Sequence, residues 1–244
     1  MKKVAIINYG AGNLASLINA VDYLGYNTVV LDRPKKNYDF SHIILPGVGN
    51  FGKLSDNLNK LGFNDYLIKN REVGNYIFGI CVGMQLLFKS SDESKNSKGL
   101  NFFEGNFKLF NFKKTNNLPI PHIGFNSVEH KSTEIWKNVP NKSFFYFIHS
   151  FRINSIDKNF VTGITNYGQK FASFIEKNNI FGSQFHPEKS HKNGLTLLSN
   201  FLKLKWLTKE LFLLFYIVRD FIIWVEILGH LSTGDTDISV NTPR

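Results

Sequence analysis

Four short, almost uninterrupted apolar runs occupy the first 90 residues, and stretches of helical spacing separate them. Residues 3–7 close at Gly10 and Gly12, after which Leu14, Leu17, Ile18, Val21 and Leu24 recur at intervals of three and four; residues 28–31 form the second run. A 3.6-residue period between continuous apolar runs describes a β-α-β unit, with strands buried on both faces of a parallel sheet. Residues 42–45, stopped by Pro46-Gly47, give a third strand, followed by Leu54, Leu58 and Leu61 on one helix face. Residues 76–80 give a fourth, and 84–88 continue with helical character. Ligands of such sheets bind beyond the carboxyl ends of the strands, so the loops after strands carry the chemistry.

Beyond residue 100 the pieces shorten. Strand-like segments at 106–112, 124–130, 144–150, 161–167, 171–176 and 180–185 point to antiparallel hairpins, and 194–204 to a closing helix. The expected fold class is α/β, with a mostly parallel central sheet flanked by helices and extended by antiparallel hairpins.

Composition narrows the function classes. With one Cys among 244 residues, a disulfide scaffold and a multi-cysteine zinc site are both excluded, and a reducing compartment is expected. Four apolar residues after Met1-Lys2-Lys3 are too few for a signal peptide, so the start reads as a cytoplasmic strand. The net charge of +10 hides an asymmetry, because residues 206–244 hold three Lys or Arg against five Asp or Glu and leave +12 on residues 1–205. No basic–aromatic motif accompanies that excess, so nucleic acid is not an expected partner; the charge reads as a solvated surface, part of which faces a more acidic partner.

Residues 1–205 are expected to form one domain and 206–244 an atypical C-terminal extension. Within it, 211–228 is an apolar helix candidate and 232–244 a polar tail. Arg219 and Asp220 interrupt the apolar run, at about 2.5–3.5 kcal/mol each on insertion scales, which weighs against a membrane span. A helix docked on the body or on a neighbour, and a loosely attached extension, both stay open.

Four motifs carry candidate chemistry. Gly10-Ala11-Gly12 between a strand and a helix, with Asp32 ending the next strand, approximates a dinucleotide fingerprint. Asn8-Tyr9 departs from its usual apolar lead-in, and a structural turn explains the glycines equally well. Gly79-Ile80-Cys81-Val82-Gly83 has the spacing of a nucleophile elbow, in which small residues two positions either side permit a sharp strand-to-helix turn. A helix N-terminus aimed at Cys81 favours its thiolate, and the Val82 N–H is placed to bind an oxyanion. In Gln184-Phe185-His186-Pro187-Glu188, extended backbone before proline should project His186 and Glu188 to one side, a base with a carboxylate to orient it. Cys81, His186 and Glu188 are therefore the candidate triad. Pro46-Gly47-Val48-Gly49 ends another strand and offers the Val48 N–H as a second oxyanion donor. His122 and His149 remain as binding candidates.

Together these pieces resemble the class I, triad-type glutamine amidotransferases, and within them the glutaminase subunits of imidazole glycerol phosphate synthases. Six blocks carry the resemblance in order over residues 4 to about 202: Asn8-Tyr9-Gly10-Ala11-Gly12-Asn13-Leu14, Leu45-Pro46-Gly47-Val48-Gly49, the Cys81 elbow through Leu87, Pro121-His122-Ile123-Gly124-Phe125-Asn126, Tyr146-Phe147-Ile148-His149-Ser150-Phe151, and Gly182 through Ser190. The resemblance implies a flavodoxin-like core, no cofactor, no metal, and glutamine hydrolysis through a Cys81 thioester. It assigns glutamine contacts to Gln85, Glu93, His149, Ser150 and Phe151, with Gly47 nearby, and places Asn13, Asn126 and Lys189 at or near the interface with a (β/α)8-barrel cyclase that receives the ammonia. The family usually has Asp at Asn8, Lys at Pro119, Trp at Phe125 and Tyr at Phe151. These departures admit a paralogous glutaminase serving an amidating enzyme of surface-sugar biosynthesis. A nicotinamide-dependent oxidoreductase centred on the Gly10 turn is the alternative of a different class, and a catalytically dead interaction module a third.

Overall fold

The computed structural model describes residues 3–35, 40–112 and 118–205. The expectations for 206–244, including the helix candidate at 211–228, lie outside the described residues. Among the described residues, nine strands form one mixed sheet in the order β2-β1-β3-β4-β12-β11-β10-β7-β8. Its parallel half comprises β1 (Lys3–Ile7), β2 (Asn27–Leu31), β3 (His42–Leu45), β4 (Tyr76–Ile80) and β12 (Ile180–Ser183). β3 and β12 are buried at every position, as are the last four residues of β1 and β4, which is why these strands read as unbroken apolar runs.

The other half is antiparallel: β11 (Lys170–Lys177), β10 (Val161–Asn166), β7 (His122–His130) and β8 (Ser143–His149). Here burial alternates along β8, as a sheet with one solvated face requires. A separate three-stranded sheet joins β5 (Phe88–Ser91), β6 (Phe103–Leu109) and β9 (Phe151–Ile153).

Helices cover the parallel half. α1 (Leu14–Tyr23) buries Leu17, Ala20 and Val21, and α2 (Phe51–Lys60) buries Phe51, Leu54 and Leu58. Asn50 caps α2 by accepting the Lys53 N–H at 3.1 Å. α3 (Phe63–Glu72) is an element the apolar spacing does not announce, because only Phe63 and Leu67 of its ten residues are buried. α4 (Val82–Leu86) is a single short helix, and Phe88, expected to continue it, instead starts β5. α5 (His191–Lys203) places Phe201 against Phe78 and Phe181, with ring centroids 5.0 and 5.7 Å away.

β1, β3, β4 and β12 run in one direction, so their carboxyl ends lie together. The four following segments, from Asn8, Pro46, Cys81 and Gln184, therefore converge at one rim of the sheet, where an open α/β fold binds its ligands.

Candidate active site

Cys81 stands between β4 and α4 with φ 53 and ψ −110. A left-handed φ is strained for any residue but glycine and persists only where the surroundings enforce it. Enforcement comes from close backbone packing: a Cβ on Gly79 would lie 2.6 Å from the Gly83 carbonyl oxygen, and one on Gly83 would lie 1.9 Å from the Leu45 carbonyl oxygen. The Cys81 N–H donates to the Ser183 carbonyl at 2.7 Å, and the Cys81 carbonyl accepts the Gln85 N–H at 3.1 Å. The elbow is thus tied to β12 on one side and opens α4 on the other.

His186 follows β12 in extended conformation and donates its backbone N–H to the Tyr146 carbonyl at 2.8 Å. The sequence expectation that Glu188 would share a strand face with it is corrected, because Pro187–Lys189 forms a 3-10 turn. That turn swings the carboxylate round to the ring, and His186 Nδ1 donates to Glu188 Oε1 at 2.8 Å, with both side chains buried. Ser190 locks the turn, its hydroxyl donating to the His186 carbonyl at 2.6 Å and accepting the Tyr146 N–H at 3.0 Å.

Asn13 contributes a third group. Its Nδ2 donates to the same Glu188 oxygen at 3.0 Å, across 175 residues of chain. Asn13 precedes α1 at φ 68 and makes no side-chain cap to that helix. Its amide serves the carboxylate in place of the helix, while its Oδ1 accepts from the Ser16 hydroxyl at 2.8 Å.

Burial disfavours a charged imidazole at His186, but negative charge on Cys81 and then on Glu188 outweighs it. The pKa is raised from 6.5 to about 10. The sulfur and the ring are electrostatic neighbours, but His186 Nε2 has no geometrically closed hydrogen bond. The Cys81 sulfur instead lies 3.7 Å from the Ile148 carbonyl oxygen and 3.6 Å from Gln184 Nε2.

The Val82 N–H, which has no partner within α4, donates to the Gly47 carbonyl at 3.4 Å. The carbonyl and N–H of a trans peptide point opposite ways, so the Val48 N–H faces away from that of Val82. The expected convergence of these two donors is absent in this state, and the Gly47 carbonyl occupies the place an oxyanion would take. The flanking carbonyls are anchored, that of Pro46 by the buried Tyr9 hydroxyl and that of Val48 by the Gly12 N–H at 3.2 Å.

A cleft of about 240 Å³ opens over Cys81. Gln85, Glu93, His149, Ser150 and Phe151 all line it, with Val48 and Val82. Gly47 lies beneath the lining, packed on Gly83. Glu93 Oε2 accepts the Phe51 N–H at 2.9 Å, which fixes one carboxylate oxygen beside the cleft. Desolvation lowers the pKa of buried His149 to about 3 and that of His122 to about 4, so both are neutral at pH 7. Gln184 and Ile148, which touch the sulfur, escaped sequence reasoning although both sit inside quoted blocks.

Polar groups of the Gly10 turn are taken up within the protein. Asn57 Nδ2 donates to the Tyr9 carbonyl at 3.0 Å, the Gly12 N–H is taken by Val48, and Asp32 accepts from Asn8 Nδ2 at 2.7 Å. Of the three residues assigned to a partner interface, Lys189 is exposed, with Nζ 5.9 Å from the Tyr146 ring centroid, whereas Asn13 and Asn126 are partly buried. Beside them Ile123, Phe125 and Phe144 are exposed, and the β7–β8 register sets Ile123 against Ile148 and Phe125 against Tyr146.

Comparison with known proteins agrees with this geometry. The family description "glutamine amidotransferase class-I" matches residues 5–204. The imidazole glycerol phosphate synthase subunit HisH of Chlorobium chlorochromatii is 42% identical over 203 residues, 82% of this chain and 100% of that protein. The subunit of the same name from Methanocaldococcus jannaschii is 42% identical over 202 residues, 82% of this chain and 99% of that protein. Among solved structures, one described as a glutamine amidotransferase superimposes with a TM-score of 0.65 at 17% identity, covering 82% of this chain and 97% of its own. PurLQS from Thermotoga maritima gives 0.65 at 18%, with the same coverage, and both support the fold. An elbow cysteine facing a histidine–carboxylate pair, on a sheet of this order and with matches of this extent, has one family explanation: the chain belongs to the class I glutamine amidotransferases.

Proposed function

We propose that this chain is the glutaminase subunit of an imidazole glycerol phosphate synthase. It hydrolyses L-glutamine to glutamate and ammonia and passes the ammonia to a (β/α)8-barrel cyclase, which forms imidazole glycerol phosphate and AICAR in histidine biosynthesis. The observation that carries the reading is the buried Cys81 on the cleft floor with the hydrogen-bonded His186–Glu188 pair beside it.

The Cys81 sulfur attacks the side-chain amide carbon of glutamine. His186, held by Glu188 and charged at neutral pH, gives its proton to the departing amine, so ammonia leaves and a thioester remains. His186, now neutral, takes a proton from water as that water attacks the thioester carbon; glutamate leaves and the sulfur is restored. Glu93 suits the substrate ammonium, and Gln85, His149, Ser150 and Phe151 wall the chain of the substrate. Stabilising the oxyanion requires the 47–48 peptide to turn, which frees the Val82 N–H and brings the Val48 N–H inward.

A partner supports that turn. The relatives matched over their whole length are described as subunits, which supports a separate polypeptide as the centre that consumes ammonia. The exposed apolar side chains of β7 and β8 lie beside the cleft, for Ile148 belongs to that face and its carbonyl also touches the sulfur. Lys189 borders this face at Tyr146, whereas Asn126 lies on the other side of β7, bonded to His122. Among the described residues no helix is long and apolar enough to cross a membrane, and a reactive free thiol suits the reducing cytoplasm.

The test is covalent. A glutamine-analogue electrophile is expected to add once to the chain, at Cys81 by peptide mass spectrometry, and not to Cys81→Ser. A wild-type chain that stays unlabelled with its partner present contradicts the reading.

A further inference from the structure

At the cleft wall and directly behind it, two buried histidines that take no part in the triad, His149 and His122, form a hydrogen-bonded chain. His149 Nδ1 contacts the Phe151 carbonyl at 2.7 Å, His149 Nε2 contacts His122 Nδ1 at 3.0 Å, and His122 Nε2 contacts Asn126 Nδ2 at 3.3 Å. Both ends have fixed polarity. A carbonyl only accepts, so His149 Nδ1 carries the proton there. At the other end the Ser127 N–H donates to Asn126 Oδ1 at 2.8 Å, which turns the Asn126 NH2 group toward His122 Nε2 and the Asn166 carbonyl at 3.0 Å. His122 Nε2 is therefore an acceptor, its proton sits on Nδ1, and His149 Nε2 accepts it.

Every member is thus a neutral histidine in its Nδ1–H form, with donation running from Asn126 to Phe151. The His122 ring is clamped by stacking on Tyr167 and Phe147, with centroids 3.9 and 4.7 Å away. Burial, which lowers both histidine pKa values, keeps the pair uncharged.

We infer that His122 is a positioning residue for glutamine binding: it holds His149 in one tautomer, and His149 in turn fixes the Phe151 carbonyl and the Ser150 and Phe151 wall of the cleft. The inference rests on the glutaminase reading for the identity of the substrate, and the geometry of the chain stands independently of it.

Two measurements decide it. In the full chain labelled with 15N-histidine, NMR at pH 7 is expected to show His122 and His149 as Nδ1-protonated neutral rings. An Nε2–H tautomer or an imidazolium at either position overturns the inference. In the complex with the cyclase, His122→Leu removes the donor to His149, whereas His122→Asn keeps an N–H close to the place of Nδ1. His122→Leu is expected to raise the KM for glutamine roughly tenfold with kcat within about twofold, as loss of uniform binding does, and His122→Asn to recover most of it. An unchanged KM in His122→Leu, or an equal defect in the Asn variant, overturns it. If His122→Leu does not fold, the tautomers and the KM of His122→Asn still decide. A wild-type complex without glutaminase activity counts against the proposed function and leaves the tautomer result standing.

Discussion

Val82 donates its backbone N–H to the carbonyl of Gly47 at 3.4 Å, which caps one expected oxyanion donor and turns the other, on Val48, away. Removing one such donor typically costs about 10²–10³ in kcat. The isolated chain should therefore release glutamate from glutamine at least roughly a hundredfold more slowly than the complex with its cyclase carrying substrate. Steady-state glutamate release, with and without the partner, measures this. Turnover by the isolated chain equal to that of the complex would show that no peptide rotation is needed.

Gly47 is also where the rotation has least room. A Cβ there would lie 2.2 Å from the Gly83 backbone nitrogen and 2.9 Å from the Val82 Cα. Gly47→Ala should lower glutamine-dependent turnover of the complex by about two orders of magnitude, the scale of a lost oxyanion donor, and leave ammonia-dependent turnover intact. Parallel assays with the two nitrogen sources decide it, and equal glutamine-dependent rates in variant and wild type would contradict the account.

The raised His186 pKa fixes the sign of a pH effect. Burial pushes it down and the charges of Cys81 and Glu188 push it up, so the ring keeps its proton until the pH approaches about 10. Above that, no acid remains to protonate the leaving amine, and kcat/KM falls. Glu188→Gln removes one of the groups that raise the pKa, and the alkaline limb of the kcat/KM profile should move to lower pH. A limb that stays in place in this variant argues against Glu188 as the partner of His186.

Asn13 separates helix stability from catalysis. It adopts φ 68 and makes no side-chain cap, while its Nδ2 shares Glu188 Oε1 with His186. Asn13→Gly keeps that φ available and deletes only the amide. The expected result is a kcat lower by about tenfold, the low end of the worth of one hydrogen bond to a charged group, with the thermal midpoint nearly unchanged. A wild-type kcat in Asn13→Gly would show that His186 alone holds the carboxylate.

The apolar face of β7 and β8 gives a binding prediction. Phe125 and Phe144 are 46% and 61% exposed, too large a pair of rings to lie open in a complex that buries this face. Phe125→Asp should weaken co-purification with the cyclase without altering the labelling of Cys81 by a glutamine analogue. Undiminished co-purification would place the partner elsewhere.

β1 and β3 could be read from sequence because they are buried on both faces, so residues 4–7 and 43–45 stand out as unbroken apolar runs. α3 could not, since Phe63 and Leu67 are its only buried side chains in an otherwise polar stretch. Phe88 misled because a short apolar segment fits helix and strand alike, and its neighbours in β6 are distant in sequence. The elbow and the His186 segment were readable as motifs because backbone geometry restricts which residues fit. What sequence could not supply was orientation: a glycine at 47 tolerates either direction of the peptide that joins it to Val48. Nor does any local pattern announce the Asn13–Glu188 bond, whose partners meet only through the order of the sheet.

Cys81 carries the whole account, and Cys81→Ala in the complex with its cyclase tests it most directly. With glutamine as nitrogen source the variant should form no imidazole glycerol phosphate, while with ammonium salt it should match the wild-type complex. Glutamine-dependent turnover that survives the substitution, or loss of both activities in a complex that still assembles, would contradict it.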